Sequence, residues 1–143
     1  MATTLNDLIE TLKDGEKGFR SAADDVKDVG VKTTFNELSR QRAQMAAELA
    51  SHQRGDDAKS SPESGSVSGA AHRGWMNIKS ALGGGEKAIL DEAERGEDVA
   101  VKAYEDALKE PLPADVADVV RKQYREVKQA HNRVKAMRDS WKT

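Results

Sequence analysis

Apolar side chains recur along the chain at alternating steps of three and four residues, which is the period of an amphipathic helix. In the first half this pattern forms two stripes: Leu5, Leu8, Leu12, Gly15, Phe19, Ala22 and Val26, and then Phe35, Leu38, Arg42, Met45, Leu49 and His52. The stripes predict helices over residues 3–27 and 31–53. Because only a few residues separate them, we expect the two helices to pack antiparallel as a hairpin.

The second half of the chain shows the same helical period. One stripe predicts a helix over residues 86–110 and contains Ile89, Ala93, Gly96, Ala100, Ala103 or Tyr104, and Ala107. Pro111 and Pro113 end this helix and open the next, because proline cannot continue an α-helix but fits its first turn. The last stripe predicts a helix over residues 113–141 with these side chains inward: Val116, Val120, Val127, Ala130, Val134, Met137 and Trp141. No segment shows the period of two of a strand, so the sequence predicts an all-α protein.

The connection between the two hairpins is long. Residues 54–65 are polar and lack a helical period, and the stripe that follows predicts a short helix over residues 67–82, with Val67, Ala71, Trp75, Ile78 and Leu82 on one face. Such a connection has the length to run along a bundle, as it does in ferritin-like bundles. We therefore predict one domain over residues 1–143: a ferritin-like four-helix bundle of two helical hairpins, joined by a long crossover that contains a short fifth helix.

Several short motifs resemble those of a known family. They are Leu5-Asn6-Asp7-Leu8-Ile9-Glu10, Asp14-Gly15-Glu16-Lys17-Gly18-Phe19, Gln41-Arg42-Ala43-Gln44, the segment from Ser66 to Trp75, and Glu94-Arg95-Gly96-Glu97-Asp98. Across residues 5–138 the chain resembles an uncharacterised bacterial ferritin-like family, a domain of unknown function. The resemblance implies a ferritin-like four-helix bundle and, by analogy, a role in stress physiology. It implies no activity, because a fold does not define a function.

Composition narrows the function classes. The chain has no cysteine, which excludes disulfides and thiol chemistry and agrees with a reducing cytoplasm. No apolar run approaches the roughly 20 residues of a membrane span, and the N-terminus lacks the features of a signal peptide. The net charge is −2, which gives no broad electrostatic reason to expect a nucleic-acid partner. Together these features predict a cytoplasmic protein without a nucleic-acid or membrane partner. A solvated face is predicted for the basic residues of the last helix, which are Lys122, Arg125, Lys128, Arg133, Lys135 and Arg138.

Two glutamates, Glu16 and Glu97, each follow a glycine at equivalent positions of the two hairpins. Counted from the turns, both fall at the middle of the bundle, where di-iron bundles place single Glu ligands. Such bundles also need Glu-x-x-His on the other two helices. Here those helices carry Gln41-Arg42-Ala43-Gln44 and Gln123-Tyr124-Arg125-Glu126, and the chain has no Glu-x-x-His. We therefore expect no cofactor; the alternative is a di-iron or di-manganese centre on Glu16, Glu97 and Glu126.

Arg42 belongs to the inward stripe of its helix, at the level of Glu16 and Glu97. A buried guanidinium needs carboxylate partners, so we predict an internal Glu–Arg–Glu cluster in the place of the metals. The predicted central polar layer consists of Glu16, Arg42, Gln44, Glu97, Gln123, Tyr124 and Glu126. In the competing interpretation, Glu16 and Glu97 are ordinary solvated residues beside the helix seam.

Three glycines, Gly15, Gly18 and Gly96, lie inside predicted helices, where each costs about 1 kcal/mol relative to Ala. This cost favours a structural reason, either close helix approach or room for the Arg42 side chain. A gap between helices that binds a ligand is the other interpretation.

The motif His72-Arg73-Gly74-Trp75 is the most specific part of the resemblance. We predict that Trp75 packs against the bundle and so anchors the crossover helix to it, and that Gly74 permits close contact between this helix and the bundle. In the alternative, His72, Arg73 and Trp75 form a contact surface for a protein partner.

The sequence therefore favours a non-catalytic interaction or stress-related protein whose partner is another protein or a further copy of the chain. The second hypothesis is a carboxylate-bridged metal-binding oxidase or metal-storage protein. A third hypothesis is a binder of lipids or small ligands that uses gaps left by glycine and alanine.

Overall fold

The computed structural model describes residues 2–53, 75, 78, 81 and 83–141, and all regular secondary structure in these residues is helical. They form four long helices: α1 (Ala2–Asp25), α2 (Val29–Ala50), α3 (Glu86–Ala107) and α4 (Ala114–Ser140). The prediction of an all-α fold with four long helices is confirmed, and each helix end lies within three residues of the predicted position. The crossover helix predicted over residues 67–82 lies mostly outside the described residues, although Ile78 and Ala81 are helical. None of the described helices has the length and hydropathy to cross a bilayer.

Local signals at the helix starts explain where α2 and α3 begin. The Asp28 carboxylate accepts a hydrogen bond from the backbone N–H of Val31 at 3.0 Å, which satisfies one of the N–H groups that lack a partner at the start of α2. Gly85 precedes α3 with a φ of 91°, in the left-handed region that favours glycine. The Glu86 carboxylate then accepts hydrogen bonds from the backbone N–H groups of Lys27 and Asp28, which ties the start of α3 to the end of α1.

The directions of the helices follow from contacts between their ends. α1 packs against α2 and α3, and α4 packs against α3 and α2, so α2 and α3 lie diagonally across the bundle. Arg133 in the second half of α4 lies 3.4 Å from Glu37 near the start of α2, whereas Lys122 lies 3.3 Å from Glu48 near the end of α2. α1 and α4 therefore run in one direction, and α2 and α3 run in the other. Residues 51–85 consequently connect opposite ends of the bundle.

A polar layer divides the apolar core into two clusters. One cluster lies towards the end of α1 and includes Phe19, Phe35, Ile89, Leu90 and Val134. The other lies towards the start of α1 and includes Leu5, Leu12, Leu49, Tyr104 and Val120. Between the two clusters lie the charged side chains of Arg42 and Glu97, each 1% exposed.

Candidate functional site

A bidentate ion pair crosses the centre of the bundle. The Nη1 and Nη2 groups of Arg42 donate hydrogen bonds to the two carboxylate oxygens of Glu97 at 2.5 and 2.7 Å. Because α2 and α3 are diagonal, this contact spans the core rather than a seam between neighbouring helices. The guanidinium fork matches the carboxylate geometry, so each charge has its counter-charge at hydrogen-bond distance.

Apolar groups enclose the Arg42 side chain. Its guanidinium carbon lies 5.4 Å from the centre of the Phe19 ring, and a Cβ atom at Gly15 would lie 3.5 Å from Arg42 Cγ. Burial alone lowers the pKa of the Arg42 guanidinium, but the charge and hydrogen bonds of Glu97 raise it, and the pKa ends above its ordinary value. Arg42 Nε is buried and makes no hydrogen bond to a described atom.

A second set of buried polar side chains lies one to two helical turns from the Arg42–Glu97 ion pair. The Tyr104 hydroxyl donates to Gln123 Oε1 at 2.7 Å, and Gln123 Nε2 donates to the Met45 carbonyl at 3.2 Å and to Glu48 Oε1 at 2.8 Å. Burial raises the pKa of the Tyr104 hydroxyl, so it remains a donor. The hydrogen bond from Gln123, followed by that from Lys122, lowers the pKa of Glu48. These contacts connect α3, α4 and α2, and they satisfy every side-chain group of the buried Gln123.

Glu16 does not join the cluster, so the predicted Glu–Arg–Glu arrangement is wrong in that member. Its nearest ionic partner among the described residues is Arg20, with 4.0 Å between Nη2 and Oε2. The inward stripe of α1 runs through Gly15 and Phe19, and Glu16 is turned about 100° from Gly15 because an α-helix has 3.6 residues per turn. Glu16 therefore lines a surface groove of about 260 Å³ between α1 and the alanines of α2.

Three other residues of the predicted layer lie at its edge. Gln44 is exposed. Tyr124 is half-buried, and its hydroxyl donates to Glu105 Oε2 at 2.8 Å on the surface. Glu126 is half-buried and contributes to the field at Arg42 without a hydrogen bond to it. Of the seven predicted layer residues, the structure buries Arg42, Glu97 and Gln123.

Tyr104 and Glu48 also belong to this polar layer, although neither was predicted there from the sequence. Tyr104 falls on the inward stripe of α3 two turns after Glu97, and a buried tyrosine needs a hydrogen-bond partner, which is the signal that could have found it. Glu48 lies at the edge of the α2 stripe, and its role depends on the position of Gln123, which only the packing of α4 on α2 defines.

Trp75 lies between α1 and α3, in a notch formed by two glycines. A Cβ atom at either Gly18 or Gly96 would overlap the indole ring. The indole also contacts the Phe19 ring edge-on, with 5.0 Å between centroids, and it is 9% exposed. Gly18 and Gly96 therefore make room for Trp75, whereas Gly15 lies against Arg42. The other predicted members of this group, His72 and Arg73, lie outside the described residues.

The sequence of the chain matches a known protein family. Residues 1–110 match the family described as domain of unknown function DUF2383. The chain belongs to this family. The matched region of the DUF2383 chain includes α1, α2 and α3, and hence both partners of the central ion pair. No curated protein matches the chain.

The central layer of this DUF2383 protein does not fit a di-metal centre. Both oxygens of Glu97 are held by Arg42, and the guanidinium places a positive charge where a metal would lie. Two imidazoles are among the described side chains: His52 faces Asp115 at 3.7 Å, and His131 pairs with Asp98 on the surface. Within the described residues, no three carboxylates or imidazoles converge in a geometry that could hold a metal ion.

Proposed function

We propose that this DUF2383 protein is a non-catalytic, ferritin-like bundle that acts by binding another protein at its outer surface. The observation that carries the proposal is the bidentate contact of Arg42 with Glu97 at the bundle centre. In di-metal bundles this level holds the reactive centre. Here an ion pair replaces it, so the interior supplies stability and the surface supplies function.

The energetics of buried charge support this interpretation. A metal ion at this level would have to displace Arg42 from Glu97 and leave the guanidinium buried without a counter-charge. Breaking a buried ion pair in this way typically costs about 3–5 kcal/mol. The Arg42–Glu97 pair is therefore expected to compete against metal binding rather than to prepare a site for it.

Further features support the finer parts of the proposal. The antiparallel packing of α1 on α3, together with a connection between opposite ends of the bundle, favours the ferritin-like class. The absence of cysteine favours a reducing cytoplasm. The bacterial origin and the role in stress physiology rest on the sequence resemblance.

Metal loading tests the central part of the proposal. We expect protein purified without chelator, and then incubated anaerobically with Fe²⁺ and desalted, to retain far less than one iron atom per chain by mass spectrometry of the metal. Mn²⁺ should give the same result. Glu126→Gln removes a candidate ligand without touching the Arg42–Glu97 pair and should change nothing. About two iron atoms per chain, reduced by Glu126→Gln, would establish the metal-binding alternative instead.

A further inference from the structure

A strip of exposed cations runs along the outer face of α4. From Arg121 to Arg138 this helix has seven basic residues and one acidic residue, Glu126. Four of the basic residues recur at steps of four, three and seven and so share one face; this basic strip consists of Arg121, Arg125, Lys128 and Lys135, all exposed. At 1.5 Å per residue the strip is about 21 Å long.

The remaining basic residues of α4 serve the bundle itself. Lys122 and Arg133 face Glu48 and Glu37 of α2 at 3.3 and 3.4 Å, and Arg138 faces Glu94 of α3 at 2.5 Å. These ion pairs join neighbouring helices.

The cations of the basic strip make no such contacts. Arg121 and Lys135 pair within α4, with Asp118 at 2.6 Å and with Asp139 at 2.8 Å. Lys128 lies over the Tyr124 ring at 5.5 Å. Arg125 has no hydrogen bond or ion pair with any described residue. The basic strip is therefore not needed to hold the helices together.

Carboxylates border the basic strip on both sides. On the α3 side Asp98 and Glu105 are exposed, and on the α2 side Glu37 and Glu48 are at least partly exposed. The positive surface is thus only about one helix wide, roughly 10 Å. We infer that the basic strip binds an acidic protein segment, a helix or extended peptide whose carboxylates repeat along its length. This inference rests on the proposed function and names the face and the chemistry of the partner.

The narrowness of the strip favours this occupant over other polyanions. A nucleic-acid duplex or an anionic membrane is wider than one helix, so it would bring phosphates against the bordering carboxylates. Single-stranded nucleic acid would fit the width, but its sites combine cations with aromatic rings on which bases stack. Among the described residues of this face, the aromatic ring belongs to Tyr124. This ring is half-buried and is covered by Lys128, so it is not open for a base to stack on. An acidic peptide needs only charge complementarity along a line.

Binding of a fluorescent poly-L-glutamate of 20 residues, followed by anisotropy, tests the inference. We expect saturable binding in about 50 mM salt that weakens as salt screens the charges. The variant Arg125→Glu/Lys128→Glu should raise Kd by about tenfold or more. Lys17→Glu/Arg20→Glu makes the same change in net charge on exposed residues of α1, which packs against α2 and α3 and lies away from the strip, and should change Kd by less than about twofold. Thermal melts by circular dichroism check that both variants fold.

Three outcomes would overturn the inference. The first is the absence of saturable poly-L-glutamate binding. The second is an equal loss of binding in the two charge-reversal variants, which would indicate an effect of net charge alone. The third is tighter binding, dependent on Arg125 and Lys128, of an oligothymidylate of 20 nucleotides or of phosphatidylserine vesicles. None of these results changes the outcome expected from iron loading. The two experiments therefore test separately whether the strip binds an acidic peptide and whether the bundle lacks a metal centre.

Discussion

Arg42 and Glu97 clamp the two hairpins of the bundle to each other, because α2 belongs to the first hairpin and α3 to the second. Two hydrogen bonds of 2.5 and 2.7 Å join side chains that are both 1% exposed. Neither charge has a second ionic partner among the described residues. The stability of the bundle should therefore depend strongly on keeping both members or removing both.

Arg42→Met is expected to lower the free energy of unfolding by about 3–5 kcal/mol at pH 7. Methionine keeps most of the side-chain volume, but Glu97 loses its counter-charge and stays buried. Urea denaturation followed by circular dichroism measures the change. The double variant Arg42→Met/Glu97→Leu removes both charges and should recover most of the loss. An Arg42→Met protein within about 0.5 kcal/mol of the wild type would show that the pair contributes little.

Gly15→Ala should stabilise the protein by about 0.5–1 kcal/mol, because alanine is the better helix residue and reduces the freedom of the unfolded chain. The new Cβ would lie 3.5 Å from Arg42 Cγ, an ordinary van der Waals distance. The midpoint of the urea transition reports the effect. A loss of stability would mean that the Arg42 side chain needs the space beside Gly15.

Gly18→Ala should have the opposite effect and destabilise the protein by about 1–3 kcal/mol, because the new methyl group overlaps the Trp75 indole. The two substitutions are chemically identical and lie one turn apart on α1, so each is the control for the other. In a Trp141→Phe background, Gly18→Ala should also shift the emission of Trp75 to longer wavelength. Unchanged emission together with unchanged stability would contradict the placement of Trp75 in the glycine notch.

Glu48 gives a pH-dependent prediction. Its folded-state pKa lies below the ordinary value of 4.5, chiefly because Gln123 donates a hydrogen bond to it. A lowered folded-state pKa contributes stability that is complete above the unfolded value and is lost as the pH falls through the folded value. Wild type should therefore be more stable than Glu48→Gln at pH 7, and the difference should shrink as the pH falls below the ordinary value of 4.5. Glu110→Gln, at an exposed position, is the control for a surface substitution. A Glu48→Gln effect that does not depend on pH would contradict the prediction.

The helices could be predicted from the sequence because their inward stripes keep the helical period along their length. Arg42 was predicted to be buried because it is a charged residue at an inward position of one stripe. The error at Glu16 has a simple geometric cause. Counting residues from the turns gives the level of a side chain along the bundle but not its direction around the helix axis. Glu97 and Glu16 share a level, yet Gly15 takes the inward position on α1.

The roles of Gly18, Gly96 and Gln123 depend on contacts between distant segments. The sequence indicated that the glycines have a packing role, but only the structure shows that Trp75 rather than Arg42 fills the space beside Gly18 and Gly96. In the same way, Gln123 was predicted to belong to the polar layer, but its hydrogen-bond partners were not. These partners, Tyr104 and Glu48, come from two other helices. Pairings of this kind are set by how the hairpins dock, which no local pattern encodes.

The ion pair that divides the core also affects the axial register between the two hairpins. In an all-apolar core, a shift of one helix past another by a turn of about 5.4 Å would still place apolar side chains against apolar side chains. A slip of four residues would place Arg42 at the level of Ala93 or Val101, leaving the Arg42 and Glu97 charges apart within the apolar clusters. We expect such misaligned forms to be strongly disfavoured. The ion pair would then favour one axial alignment of the two hairpins over the other alignments that apolar contacts alone would permit.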